Sequence, residues 1–143
     1  MREIAFWDTS ALVPLCVRQS TTANAIALYR THGAVVWWAT PVEIASALAR
    51  LVRMKRINAT DCAKARKLAD VLSDSWSVIQ PTDVVRAKAL RLVDQHDLRA
   101  ADSLQLAASL EWCEDVPKGR LFLTADERLR EAALQVGFEA KQM

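Results

Sequence analysis

The stretch Ala34-Val35-Val36-Trp37-Trp38-Ala39-Thr40-Pro41-Val42-Glu43 decides the fold. Its first six residues are apolar at odd and even positions alike. That fits a central parallel strand covered by helices on both faces, not a half-exposed antiparallel one. The two tryptophans are expected to point to opposite faces and to serve core packing rather than base stacking. Thr40-Pro41-Val42-Glu43 then combines a capping hydroxyl, proline at the first helical position and Glu three residues after the cap, so a helix starts here.

Upstream, Ile4-Ala5-Phe6-Trp7 is a second apolar run, closed by Asp8, and Thr9-Ser10 supplies hydroxyls suited to capping the helix that Ala11-Leu12-Val13 begins. Residues 22–32 read as a helix stopped by Gly33. Downstream, Ile44, Leu48, Leu51 and Val52 keep helical spacing to about Arg56. Asn58-Ala59-Thr60-Asp61 then turns the chain into a helix carrying Ala65, Leu68, Ala69 and Leu72. Trp76–Gln80 is a third strand, residues 82–96 a helix, and Asp97–Ala101 a break before a long helix through Leu104, Ala107, Ala108 and Glu111. Arg120–Thr124 is a fourth strand, followed by a helix with Leu129, Ala132, Ala133 and Val136 inside and Gly137 at its end; Phe138-Glu139-Ala140 offers a short edge strand. Alternating strands and helices imply parallel pairing with right-handed crossovers, hence a three-layer α/β/α sandwich on a mostly parallel sheet of four to five strands.

The whole chain of 143 residues, 52% apolar and 25% charged, is expected to form one globular domain over residues 1–143. No run approaches the roughly 18 apolar residues that span a bilayer, which predicts a soluble, cytoplasmic protein without a membrane partner. Cys16, Cys62 and Cys113 are odd in number and widely spaced, fitting neither a disulfide framework nor a zinc pattern. A net charge of +2 does not establish a polyanionic partner. Its distribution is more telling: Arg50, Arg53, Lys55, Arg56, Lys64, Arg66 and Lys67 face only Asp61 between positions 50 and 67. Such a helical hairpin can attract a phosphate backbone, or simply be a solvated surface whose Lys and Arg stems cover apolar area.

Four acids, Asp8, Glu43, Asp102 and Asp126, each fall where an apolar stretch hands over to a helix. Carboxyl ends of parallel strands share one edge of a sheet, so these distant residues are expected to converge. Each also has a structural explanation, because acids in first helical turns act as caps or dipole partners, and Glu43 and Glu127 both occupy capping-box positions. Jointly they are harder to dismiss. Two carboxylates about 4 Å apart repel by roughly 4 kcal/mol at an effective dielectric near 20, more than a helix dipole returns. A cation relieves that repulsion, and an all-oxygen donor set selects Mg²⁺, with Mn²⁺ as substitute. An open site of this kind suits phosphodiester hydrolysis.

With these residues in place, the chain resembles the PIN-domain nucleases, in particular the VapC toxins of bacterial toxin-antitoxin pairs. The likeness rests on Asp8-Thr9-Ser10-Ala11-Leu12, on Leu98-Arg99-Ala100-Ala101-Asp102-Ser103-Leu104-Gln105-Leu106-Ala107, and on Leu123-Thr124-Ala125-Asp126-Glu127-Arg128-Leu129. Glu43 falls where the family carries its second acid. The resemblance implies a Mg²⁺-dependent endoribonuclease acting on RNA, with Asp8, Glu43, Asp102 and Asp126 as catalytic and metal-binding acids and Ser10 positioning water or phosphate. It further implies a sheet order of 3-2-1-4-5, a homodimer, and a VapB-like antitoxin whose tail delivers a basic side chain to the acids. Trp7 before the first acid and Ser103 after the third depart from the family's pattern, but neither removes a ligand. Three other readings stay open: an RNA-processing nuclease that is not a toxin, a catalytically inert PIN-like binding module, and a plain α/β domain whose acids are helix caps.

Overall fold

The structure is a computed structural model describing residues 2–143. Its elements in chain order are β1 (Glu3–Trp7), α1 (Thr9–Cys16), α2 (Thr22–Thr31), β2 (His32–Trp37), α3 (Thr40–Arg53), α4 (Ala59–Ser73), β3 (Ser77–Ile79), α5 (Asp83–Gln95), α6 (Ala100–Trp112), β4 (Leu121–Leu123) and α7 (Glu127–Val136). The four strands form one parallel sheet in the order β3-β2-β1-β4. Ala5 pairs with Ala34, Phe6 with Phe122 and Val36 with Val78.

Strand periodicity divides the apolar residues between two cores. Phe6, Val35, Trp37 and Phe122 pack on α5, α6 and α7 through Val85, Leu92, Leu106 and Leu129. Ala5, Trp7, Ala34 and Val36 face the other way, onto α1, α3 and α4 through Leu12, Ile44, Leu48 and Ala65. This is the three-layer arrangement that two-sided apolar strands require. Phe6 and Trp7 are both fully buried. Phe6 stacks on Phe122 with ring centroids 5.4 Å apart, so truncating it to Ala would cost about 3–5 kcal/mol.

Chain direction places the functional edge. From β1 the chain moves outward to β2 and β3 through helices of the second core, then returns through α5 and α6 on the opposite face to place β4 beside β1. The crossover changes face between β1 and β4, which makes their carboxyl ends a topological switch point where open α/β sheets form a crevice.

Four sequence expectations need correction. Gly33 does not stop α2; it is a residue of β2 opposite Ile4, and α2 ends on an extended His32. Trp38 is not core, being 53% exposed beyond the end of β2, while Trp37 is buried. The fifth strand reduces to one parallel bridge from Glu139 to Leu121, flanked by the Phe122 N–H donating to the Glu139 carbonyl at 2.8 Å. Finally, Thr40 does not cap α3: the cap position is Ala39, no side chain bonds there, and the expected capping box with Glu43 is not formed.

Candidate metal centre

Asp8 leaves β1 at the switch point and is 4% exposed. Its backbone N–H donates to the Leu123 carbonyl at 2.9 Å, extending the β1–β4 pairing by one residue. It, and not Thr9 or Ser10, is the N-cap of α1, accepting the Ser10 N–H on Oδ2 at 3.2 Å. The same oxygen accepts the hydroxyls of Ser10 at 2.5 Å and Thr124 at 2.8 Å. Each hydroxyl has one hydrogen and places it on Asp8, so their mutual contact at 3.0 Å adds no bond. As acceptors they are also used, Ser10 Oγ by the Ala125 N–H at 2.8 Å and Thr124 Oγ1 by the Asp126 N–H at 3.0 Å. Ser10 therefore holds Asp8 in place. All three bonds that Asp8 accepts fall on Oδ2, and among the described residues Oδ1 receives none.

Glu43, in the first turn of α3, turns away from its own helix end. Its Oε1 accepts the Thr9 hydroxyl at 2.9 Å and the Gln105 Nε2–H at 3.0 Å. Gln105 is fully buried on α6 and also reaches Thr9 Oγ1 at 3.1 Å. Thr9, Thr124 and Gln105 are supporting residues that the sequence reading missed. A clue existed for Gln105: it stands three residues after Asp102 and three before Ala108, a polar side chain on the face that carries the acid.

Asp102 lies in the first turn of α6. Asp126 is the N-cap of α7, with Oδ1 accepting the Leu129 N–H at 2.9 Å, so the box expected between Thr124 and Glu127 is replaced by Asp126 itself. The four acids line one open cleft of about 820 Å³, whose rim carries Arg50, Arg99 and Arg128. Among the described residues, none of the four acids is in a salt bridge.

Electrostatics agree with that crowding. Burial raises the Asp8 carboxyl pKa above its ordinary value, against the hydrogen bonds from Ser10 and Thr124, and the Glu43 charge adds to the rise. Burial likewise raises Glu43, opposed by Gln105 and Thr9 and reinforced by Asp102. Asp102 is pushed up to about 6, first by burial and then by the charges of Asp126 and Asp8, with Arg99 opposing. Carboxyls raised first by burial and then by one another's charge mark a place short of positive charge.

The donors fit a hard divalent cation. Among the described residues no three acids stand close enough to form a ready cage. One or two direct carboxylates, with water completing the shell, is how Mg²⁺ is usually held, and Asp8 Oδ1 is one oxygen left for it. The basic hairpin is placed less simply than expected. All seven of its Lys and Arg side chains are exposed, but only Arg50 lines the acid cleft; Arg66 lines a small groove between α3 and α4, and Lys55 and Arg56 lie at the hairpin tip.

No protein-family model and no curated protein matches the chain. Solved structures match its fold. A chain in the crystal structure of VapBC2 from Rickettsia felis bound to a DNA fragment from their promoter superposes with a TM-score of 0.65 at 10% identity, covering 96% of this chain and 98% of that one. A chain of FitAcB from Neisseria gonorrhoeae gives 0.63 at 14% identity over 95% and 97%. A toxin-antitoxin complex from Klebsiella pneumoniae gives 0.58 at 12% identity over 85% and 86%. The chain has the PIN-like architecture that the resemblance implied, with β3-β2-β1-β4 as its core order.

Proposed function

We propose that the chain is a Mg²⁺-dependent endoribonuclease, the toxin of a type II toxin-antitoxin pair, acting in the cytoplasm as a single-domain homodimer restrained by a VapB-like antitoxin. One observation carries this reading: Asp8, Glu43, Asp102 and Asp126 share one cleft, and among the described residues no salt bridge reaches any of them. The fold shared with chains of toxin-antitoxin complexes supports the biological role. The helix-cap alternative explains less. Asp8 and Asp126 do cap helices, but each uses one oxygen for it, and neither Glu43 nor Asp102 makes a capping bond.

A bound divalent cation supplies Lewis acidity, making water a better nucleophile and stabilising charge on the leaving oxygen. Asp8, Glu43, Asp102 and Asp126 would hold it directly or through water. Ser10 and Thr124 keep Asp8 oriented and oppose the rise in its pKa that burial causes, by placing both hydroxyl hydrogens on Oδ2. Arg50, Arg99 and Arg128 on the rim contact phosphates flanking the scissile bond, which positions RNA without reading its sequence.

Purified protein with Mg²⁺ is expected to cut RNA. Asp8→Asn and Asp102→Asn should each lower the rate by more than about a hundredfold, beyond the usual effect of losing a supporting hydrogen bond to a ligand, with circular dichroism unchanged. Cleavage retained in both variants would reject the nuclease. Growth arrest on induction, relieved by Asp102→Asn, tests the toxin role.

A further inference from the structure

We propose that Gln105 is the positioning residue of the acid cleft: it fixes the Glu43 side chain so that Oε1 is saturated and Oε2 is left for the site. The inference rests on the metal-dependent reading above and adds the residue that sets one acid against the others.

The geometry is a closed ring. Gln105 Nε2 donates to Glu43 Oε1 at 3.0 Å and to Thr9 Oγ1 at 3.1 Å, and Thr9 donates its hydroxyl hydrogen to the same Glu43 oxygen at 2.9 Å. An amide has two N–H groups, so these acceptors use both, and Thr40 Oγ1 at 3.5 Å is a contact and not a third bond. The ring joins the first turn of α1, next to Asp8, to the first turn of α3, which carries Glu43. Its donor stands one turn beyond Asp102 on α6. One buried side chain thus ties together the elements that carry three of the four acids.

Why an amide occupies this position is informative. Gln105 is fully buried, and among the described residues its Oε1 has no hydrogen-bond partner. A buried unpaired carbonyl is costly, and an apolar side chain of the same shape would avoid the cost. The immediate neighbours Leu104 and Leu106 are apolar. The amide is retained for what its nitrogen does, and its nitrogen serves Glu43 and Thr9.

The test is Gln105→Met, which keeps length and burial and removes both ends of the amide. In metal-free protein the Glu43 carboxyl ¹³C resonance is expected to shift and to lose its single fixed environment, with unfolding in urea unchanged or moved to higher concentration. An unchanged Glu43 resonance would overturn the proposal. Calorimetry with Mn²⁺ is expected to show an affinity about 10–100-fold weaker than wild type, the usual range for losing a partner of a ligand. Equal Mn²⁺ affinity in both proteins would also overturn it. If wild-type protein binds no Mn²⁺, the metal-dependent reading falls, while the Glu43 resonance still decides whether Gln105 holds that side chain. Should Gln105→Met fail to fold, Gln105→Leu carries the same measurements.

Discussion

Lys88 on α5 and Asp8 at the end of β1 expose similarly little surface, 7% and 4%, yet the chain treats the two charges in opposite ways. Lys88 Nζ bonds Asp115 and lies 3.4 Å from Glu111, so the fold supplies two counter-charges of its own. Burial alone would lower the lysine pKa; Asp115 and Glu111 outweigh it and hold it above the ordinary value. Among the described residues Asp8 receives hydroxyl and backbone hydrogens but no cationic side chain, and its charged company includes Glu43 and Asp102. Isolated charge is expensive away from water unless paired. The chain neutralises one buried charge internally and leaves the other without a cationic partner among the described residues, which is the contrast the proposed metal reading predicts.

The largest effect is expected from Lys88→Glu, which turns a compensated site into three mutually repelling acids. Chemical denaturation should show a loss of about 3 kcal/mol, near the lower bound for breaking a buried pair because Asp115 and Glu111 remain partly solvated. A variant as stable as wild type would mean that α5 does not depend on the pairing.

Next comes the cation itself. At a hundredfold excess over its dissociation constant, Mg²⁺ should stabilise wild-type protein by about 2.7 kcal/mol. For a chain of this size, scanning calorimetry should read that as a rise of about 5–10 °C, and Asp8→Asn should lose most of it. A melting temperature indifferent to Mg²⁺ would leave the uncompensated acids without a purpose.

The smallest effect sharpens the electrostatics. Asp8, Glu43 and Asp102 all have folded-state pKa values above their ordinary ones, so the native metal-free protein holds these protons more tightly than the unfolded chain does. Their contribution to stability is therefore fully present below the unfolded pKa and is lost as pH rises through the folded one. For Asp102 that window runs from 3.8 to about 6. Metal-free wild type should lose stability across it, and Asp102→Asn should flatten the slope. At neutral pH the variant should be more stable by about 1 kcal/mol or less, because a half-exposed carboxylate is screened by solvent. Parallel pH profiles for the two proteins would show that neither burial nor the charges of Asp126 and Asp8 raise Asp102.

Local pattern in the sequence determined a good deal of this protein. Apolar runs with both faces hydrophobic dictated parallel strands between two helical layers, and acids after the first, second and fourth runs marked the edge that Asp8, Glu43 and Asp126 share. Asp102 is expected at such a junction too, but it joins them from the start of α6, which follows α5 with no strand between. These features are readable because hydrophobic periodicity and strand-to-helix junctions span only a few residues. Tertiary structure decided the rest. Thr124 reaches Asp8 across 116 residues and Gln105 reaches Thr9 across 96, partners set by strand order and helix packing and by no local pattern. The same packing drew Glu43 out of the capping box its spacing suggested, exposed Trp38 beyond the end of its strand, and buried Lys88 against Asp115. Periodicity tells a residue which side of its own element it occupies; which atom it meets there depends on how distant elements come to rest against one another.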